Sequence, residues 1–286
     1  MTIARRKIAA PAAAPAPHNG FSLISNQKLL QIYSAMLQCR MIEARIRALI
    51  KQNQLDKHYD TTGQEAAFVG AAIDLLPEDT LAPYHRALIP CFLKGLPLST
   101  LFALLAPVPT RARLPFTCRN LISPALSPAV QLDRAIDAAI ANKAAKNSKI
   151  VVAFCGDSSE LLYPAFSRAG AQDLPILFVC HTAANAEQIA ARAQEYGFPG
   201  IAVDAQDAVA VYRVATEAMA HARRGSGPTL IECIPWPLSG PRKGQPRKSE
   251  VALVNMENYL VRKRLFTAEL KSQATSAFKR ELAAAL

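Results

Sequence analysis

The stretch from Ile150 to Cys180, IVVAFCGDSSELLYPAFSRAGAQDLPILFVC, restricts the possible folds more than any other part of the chain. Its opening run, IVVAFC, is apolar, rich in β-branched residues and too short for a self-sufficient helix, which predicts a strand buried on both faces. A helical stretch, Glu160 to Gln172, follows and Pro175 breaks it. A second apolar run, ILFVC, then ends at Cys180. Strand, helix and strand in this order predict a parallel pair joined by a crossover. Gly156, Asp157 and Ser158 fall just beyond the first strand, at the edge where open parallel sheets bind ligands. His181 and Thr182 fall beyond the second, at the same edge.

The pattern continues downstream. Helix 186–196, strand 201–204, helix 207–224 and strand 229–232 alternate at lengths that predict an α/β fold, a mostly parallel sheet with helices on both faces. Upstream, Leu29, Ile32, Met36, Ile42, Ile46 and Ile50 follow helical spacing and predict a long amphipathic helix over 29–53. Thr62 stands three residues before Glu65, which predicts a capping box opening a second helix over 66–76. A short strand or loop at Asp79 and Thr80 leads to Tyr84, His85 and Arg86, and a helix is expected over 87–94. Residues 107–128 hold five prolines in twenty-two positions and read as loop. An alanine-rich helix over 129–146 leads into the strand at Ile150, and 250–286 read as helix, loop and helix. Residues 1–20, dominated by Ala and Pro, are expected to be a flexible arm, with one domain over 21–286 and its C-terminal helical extension from about 250.

With 286 residues, 51% of them hydrophobic, the chain can bury a large core. Its apolar runs fall short of the ~18 residues of a membrane span, and the N-terminus lacks the apolar core of a secretory signal, so a cytoplasmic location is expected. The six cysteines are dispersed without a CxxC pair and read as reduced, mostly buried thiols. The formal net charge is +11, yet the basic residues are spread along the chain without interleaved aromatics. That distribution favours solvated faces plus an acidic partner or anionic ligand over nucleic acid.

Taken together, MLQCRMIEARI, TTGQEAAFVGAA, PEDTLAPYHRALIPCFLKGLP, VVAFCGDSS, LPILFVC and AQEYGFPGIAVDAQDAVAVYRVATEAMAHARRGSGPTLIEC stand in the order of a known family. Over about residues 25 to 275 the chain resembles the alpha subunit of the thiamine-diphosphate-dependent first component of 2-oxo acid dehydrogenase complexes, of pyruvate, branched-chain and acetoin type. The resemblance implies the thiamine-diphosphate-binding fold, thiamine diphosphate and Mg²⁺ as cofactors, and a separate beta subunit, in an α₂β₂ assembly or as a homodimer. It implies oxidative decarboxylation of a 2-oxo acid. By the same resemblance Asp157 matches the acidic magnesium ligand, Arg86 matches the arginine that contacts the diphosphate, and Gln64 lies in a segment of more structural role. Tyr84, His85, Gly156 and Ser158 complete the implied cofactor-binding set.

Several positions depart from the family pattern. Ser158 replaces a glycine that admits the phosphates, and His85 takes the place of a tyrosine. The paired asparagines expected after the second strand fall on Thr182 and Ala183, with Asn185 two residues on. The loop after the strand ending IEC holds Pro235, Trp236, Pro237, Gly240 and Pro241 and no histidine, and Asp137 replaces a small helix-packing glycine. A degenerate site with reduced or lost activity is therefore expected, the alternative being a non-catalytic structural or regulatory subunit. From the residues themselves, His181 is the candidate for catalysis. Glu160, Thr182 and Asn185 are candidate oxygen ligands beside Asp157, although Asp157 would equally well cap a helix and Glu160 complement a helix dipole.

Overall fold

The computed structural model describes residues 24–56, 58–84, 87–107, 120–124, 127–156, 159–182, 188–235 and 250–285. The arm expected over 1–20 lies outside them. Five strands form one sheet in the order β1-β2-β3-β5-β4, every pairing parallel. They are β1 (Thr80–Ala82), β2 (Val151–Cys155), β3 (Ile176–His181), β4 (Gly200–Asp204) and β5 (Thr229–Ile234). The expected α/β architecture with a mostly parallel sheet is the one observed.

Side-chain alternation along the strands divides the interior into two layers. Val152 and Phe154 of β2, Leu177 and Val179 of β3, and Ile231 of β5 enter one core. Val151, Ala153, Ile176, Phe178 and Leu230 enter the other. Burial on both faces is why these strands read as continuous apolar runs. The second core is closed by α5 (Pro128–Ala144), α6 (Ser159–Ala171) and α7 (Ile189–Ala193), which supply Ile136, Phe166 and Ile189. The first is closed by α1 (Asn26–Lys51), α2 (Glu65–Ala72), α3 (Ile89–Leu93), α4 (Leu98–Leu105), α8 (Ala208–Arg223), α9 (Val251–Arg262) and α10 (Ala268–Ala284).

Helix α1 departs from the amphipathic expectation. Tyr33, Ser34, Ala35, Met36 and Leu37 are five consecutive buried residues, which no single stripe accommodates. The helix is wrapped by α2, α9 and α10, so several of its faces are covered. Helix α2 is also buried along its whole length and lies so close to α8 that a Cβ on Gly70 would sit 2.8 Å from Val211. The capping box expected from Thr62 does not form. The Thr62 hydroxyl is bonded to Asp60, two residues back, and to Arg47 of α1, and the Glu65 carboxylate is held by Arg40, so these partners outcompete the motif.

The connection into β1 is fixed by Asp79, which is fully buried. Its carboxylate accepts from Leu76 N at 2.7 Å and Ile150 N at 3.2 Å, and pairs with both terminal nitrogens of Arg223. One side chain thereby ties β1, the entry to β2 and the end of α8. Replacing Asp79 with Ala leaves two backbone donors and a guanidinium without their acceptor, and should lower unfolding free energy by about 3 kcal/mol. Urea denaturation of the variant checks this; a loss below about 1 kcal/mol would show that the pair is dispensable.

Candidate functional site

The connections leaving β2 and β3 lead to α6 and α7 on one face of the sheet, whereas those leaving β4 and β5 lead to α8 and α9 on the other. The directions diverge between β3 and β5, which are neighbours in the sheet, with His181 opposite Cys233 in register. A crevice must open at such a switch point. There the structure holds a cavity of about 650 Å³, within the range of small-molecule and coenzyme sites. Cys155 and Gly156 reach it from β2, His181 and Thr182 from β3, Cys233 and Pro235 from β5. Ala205 and Gln206 contribute from the end of β4, and Tyr84 from beyond β1.

The remaining wall is the segment from His58 to Gln64, which enters α2. It has no regular structure of its own, and charged groups fasten it to α1. The carboxylate of Glu43, 1% exposed, accepts from the Thr61 backbone N at 3.3 Å and from the Thr61 hydroxyl. Its other oxygen lies 2.7 Å from His58 Nε2. Glu65, equally buried, takes Arg40 Nε at 2.6 Å and Nη2 at 3.1 Å, and accepts from Gly63 N at 3.0 Å. Buried carboxylates are tolerated only when so compensated. Nearer the surface, burial would raise the Asp60 carboxyl, but bonds from Thr62 and Arg47 outweigh it and hold it below the usual carboxylate range. Tyr59, Thr62, Gly63 and Gln64 thus face the cavity from a segment anchored at several points.

Four of the residues that line this cavity carry a buried polar atom with no hydrogen-bond partner among the described residues: Gln64 Oε1, His181 Nε2, Thr182 Oγ1 and Gln206 Oε1. Thr182 is 5% and Gln206 2% exposed. Such orphans are uncommon, and a cluster of them in one crevice marks a place for a polar ligand. The His181 ring lies against Phe68 at 4.8 Å, and burial pushes its imidazole down to about 4. It is therefore neutral near pH 7. Burial likewise pushes up the thiols of Cys180 and Cys233, which stay protonated and unreactive.

Among the residues named from the sequence, Tyr84, Gly156, His181 and Thr182 are brought together around the cavity. Tyr84 makes an edge-on contact with Tyr59 and lies against Gly156, where an added Cβ would come within 3.0 Å of its hydroxyl. Glu160 is exposed in the first turn of α6 and is not among the described residues that line the cavity. His85, Arg86, Asp157, Ser158 and Asn185 lie outside the described residues. Among the described residues no group of three or more His, Cys, Asp or Glu could hold a metal ion. Gln206 was not anticipated, although its place two residues past the end of β4 puts it on the same edge. Gln64, expected to be structural, lines the cavity.

The neutral state of His181 has a measurable consequence. Between about pH 6.5 and 4 the unfolded chain takes up a proton that the folded imidazole refuses, so the folded state loses stability as pH falls through that window. Above pH 6.5 this contribution is fully present. His181→Asn should flatten the dependence of stability on pH there by up to about 1.4 kcal/mol per pH unit. An unchanged slope in denaturant titrations between pH 4 and 6.5 would contradict a buried neutral ring.

Comparison with known proteins places the chain in a family. The family model of the dehydrogenase E1 component matches residues 33–240. The chain is 26% identical over 290 aligned positions to the pyruvate dehydrogenase E1 component subunit alpha of Staphylococcus aureus strain Mu50, covering 92% of this chain and 78% of that one. It is 31% identical over 229 positions to the 3-methyl-2-oxobutanoate dehydrogenase subunit alpha of Mycobacterium tuberculosis strain CDC 1551, covering 75% of this chain and 62% of that one. Among solved structures, benzoylformate decarboxylase from Polynucleobacter necessarius superposes with a TM-score of 0.41 at 13% identity over 60% of this chain, which spans about a third of that structure (32%). No helix among the described residues is long and apolar enough to cross a membrane. With its parallel sheet, its strand-end crevice and a match running from α1 past β5, the chain belongs to the dehydrogenase E1 component family as a 2-oxo acid dehydrogenase alpha-subunit-like protein.

Proposed function

We propose that the strand-end crevice holds thiamine diphosphate with Mg²⁺, that a separate beta subunit completes it, and that the pair decarboxylates a 2-oxo acid oxidatively at a reduced rate. The observation that carries this reading is the grouping around one crevice of Gln64, His181, Thr182 and Gln206, each with a buried polar atom that has no partner among the described residues. The donor set suits a polar coenzyme. Neutral oxygens such as the Thr182 hydroxyl and the Gln206 carbonyl are acceptable to a hard cation. Asp157 and Arg86, proposed from the sequence as metal ligand and diphosphate partner, would supply the charge that the described wall lacks. Bound there, the coenzyme supplies the carbanion chemistry of decarboxylation.

The protein's own part is to orient and to exclude water. Gln64, at the N-cap of α2, and Gln206, just past the end of β4, line the same crevice, while the ring of Phe68 backs His181. With its imidazole near 4, His181 is present as imidazolium in only about a thousandth of molecules at pH 7, so it positions a ligand through a neutral nitrogen and is a poor proton donor. Residues 235–249 contain no histidine to take over. Forgoing a positioned acid costs roughly 10²- to 10⁴-fold in rate, which supports slow turnover and keeps a non-catalytic, partner-binding subunit as the second reading.

Calorimetric titration of the chain with thiamine diphosphate and Mg²⁺, alone and beside a candidate beta chain, tests the proposal. Saturable binding is expected, weakened about tenfold or more by Thr182→Val through loss of a hydrogen bond to a charged group. Binding with measurable 2-oxo acid turnover supports the enzyme. Binding without turnover favours the second reading, and no binding in either setting removes the coenzyme from the account.

A further inference from the structure

Two thiols stand side by side at the tip of the sheet. Cys155 ends β2, Cys180 is the last residue but one of β3, and the two are partners in register. Neighbouring strands lie about 4.8 Å apart, inside the range of roughly 4.4 to 6.8 Å between Cα atoms over which cysteines can be bridged. Both side chains enter the layer of α5, α6 and α7. The Cys155 thiol leans toward β3, 3.8 Å from Val179 O, and is in hydrogen-bonding contact with the Cys180 thiol. Both are free cysteines.

Their access differs. Cys155 lines the polar crevice, whereas Cys180 is fully enclosed. Cys233 also lines the crevice, but its side chain belongs to the opposite layer, and its partners in register are His181 and Val203. Of these two thiols at the crevice, Cys155 alone has another cysteine beside it. A small oxidant that enters the crevice therefore meets one thiol with a second held in reserve behind it.

We propose that Cys155 and Cys180 are a peroxide-responsive pair: a hydroperoxide in the crevice oxidises Cys155, and Cys180 resolves the product into a cross-strand disulfide. In the first step the Cys155 sulfur attacks a peroxide oxygen and the O–O bond breaks. Cys155 becomes a sulfenic acid, and water or an alcohol leaves with the thiol proton. In the second step the Cys180 sulfur attacks the Cys155 sulfur, the S–O bond breaks, and hydroxide leaves with the Cys180 proton as water. Two electrons pass from the thiols to the peroxide. Cys180, enclosed and protonated, is inert to reagents in solution, but a sulfenic acid on Cys155 is a neighbour already in contact, and held proximity compensates for a scarce thiolate. A disulfide draws its Cβ atoms to about 3.5 to 4.5 Å, closer than the strand spacing of about 4.8 Å. Closing the bond pulls the tips of β2 and β3 together, and the resulting strain keeps it easily reduced. Gly156 and Thr182 follow these cysteines within two residues, so the oxidised pair narrows the crevice that they line. The pair is independent of what the crevice binds.

The full-length chain is treated with graded hydrogen peroxide, its remaining thiols are blocked with iodoacetamide in denaturant, and its peptides are read by mass spectrometry. Of the six thiols, two should disappear together into a crosslinked peptide that joins Cys155 to Cys180 and is lighter by two hydrogens. Dithiothreitol should restore both. Cys180→Ser should halt the reaction at a sulfenic acid on Cys155, trapped by dimedone, and Cys155→Ser should leave Cys180 free at the same dose. A native protein whose Cys155 stays a free thiol at peroxide levels that oxidise its methionines overturns the proposal, whether or not either variant folds. So does a crosslink from Cys155 to Cys233, or oxidation of Cys180 that persists undiminished in Cys155→Ser.

Discussion

Burial of β2, β3 and β5 on both faces is the constraint on which the rest of the molecule depends. Along β2 and β3 no side chain is left for polar chemistry, and the one carboxylate inside β5, Glu232, is bonded to Ala190 N at 2.8 Å, so polar function is displaced to the strand ends. The sequence obeys this closely. VVAFC and ILFVC are apolar until they stop, and then Gly156, His181 and Thr182 appear within two residues. The divergence of connections between β3 and β5 adds the opening that those polar residues line.

The wall facing the strand ends follows a different rule. It is not held by apolar burial but by carboxylates sunk into the helical layer, Glu43 on α1 and Glu65 at the start of α2, each with its lone pairs occupied. Charge compensation there fixes an irregular segment that hydrophobic contacts alone would leave free to shift. The crevice is accordingly a meeting of two regimes: one side set by strand register, the other by directional bonds that span some twenty residues of sequence from α1 to α2.

How much of this was legible in the sequence depended on how local the cause was. The β2-α6-β3 unit was readable because short β-branched runs and a helix ending ahead of Pro175 have few other interpretations, and the family strings put the whole chain in register. Helix α4 was missed because Gly95 and Pro97 read as an end, whereas Pro97 stands at the helix N-terminus, where a missing amide proton costs nothing. The Thr62 capping box failed since both of its side chains are held elsewhere, by Asp60 two residues back and by Arg47 and Arg40 of α1. Gln206 and the burial of α1 were invisible for a related reason: each depends on neighbours contributed from elsewhere in the fold. The residues on which the cofactor assignment leaned most, Asp157 and Arg86, belong to segments beyond the described structure, whereas Gly156 and Thr182 beside them lie at the crevice.

The strict alternation of side chains along β2 has a consequence for how such a protein can diverge. Val152 packs into the layer containing α1, α2 and α8, Val151 and Ala153 into the layer of α5 and α6. The sheet acts as an insulator between two compartments that accumulate substitutions independently. A lineage can repack the layer of α5 and α6 through Val151 and Ala153 while the opposite layer keeps its own contacts.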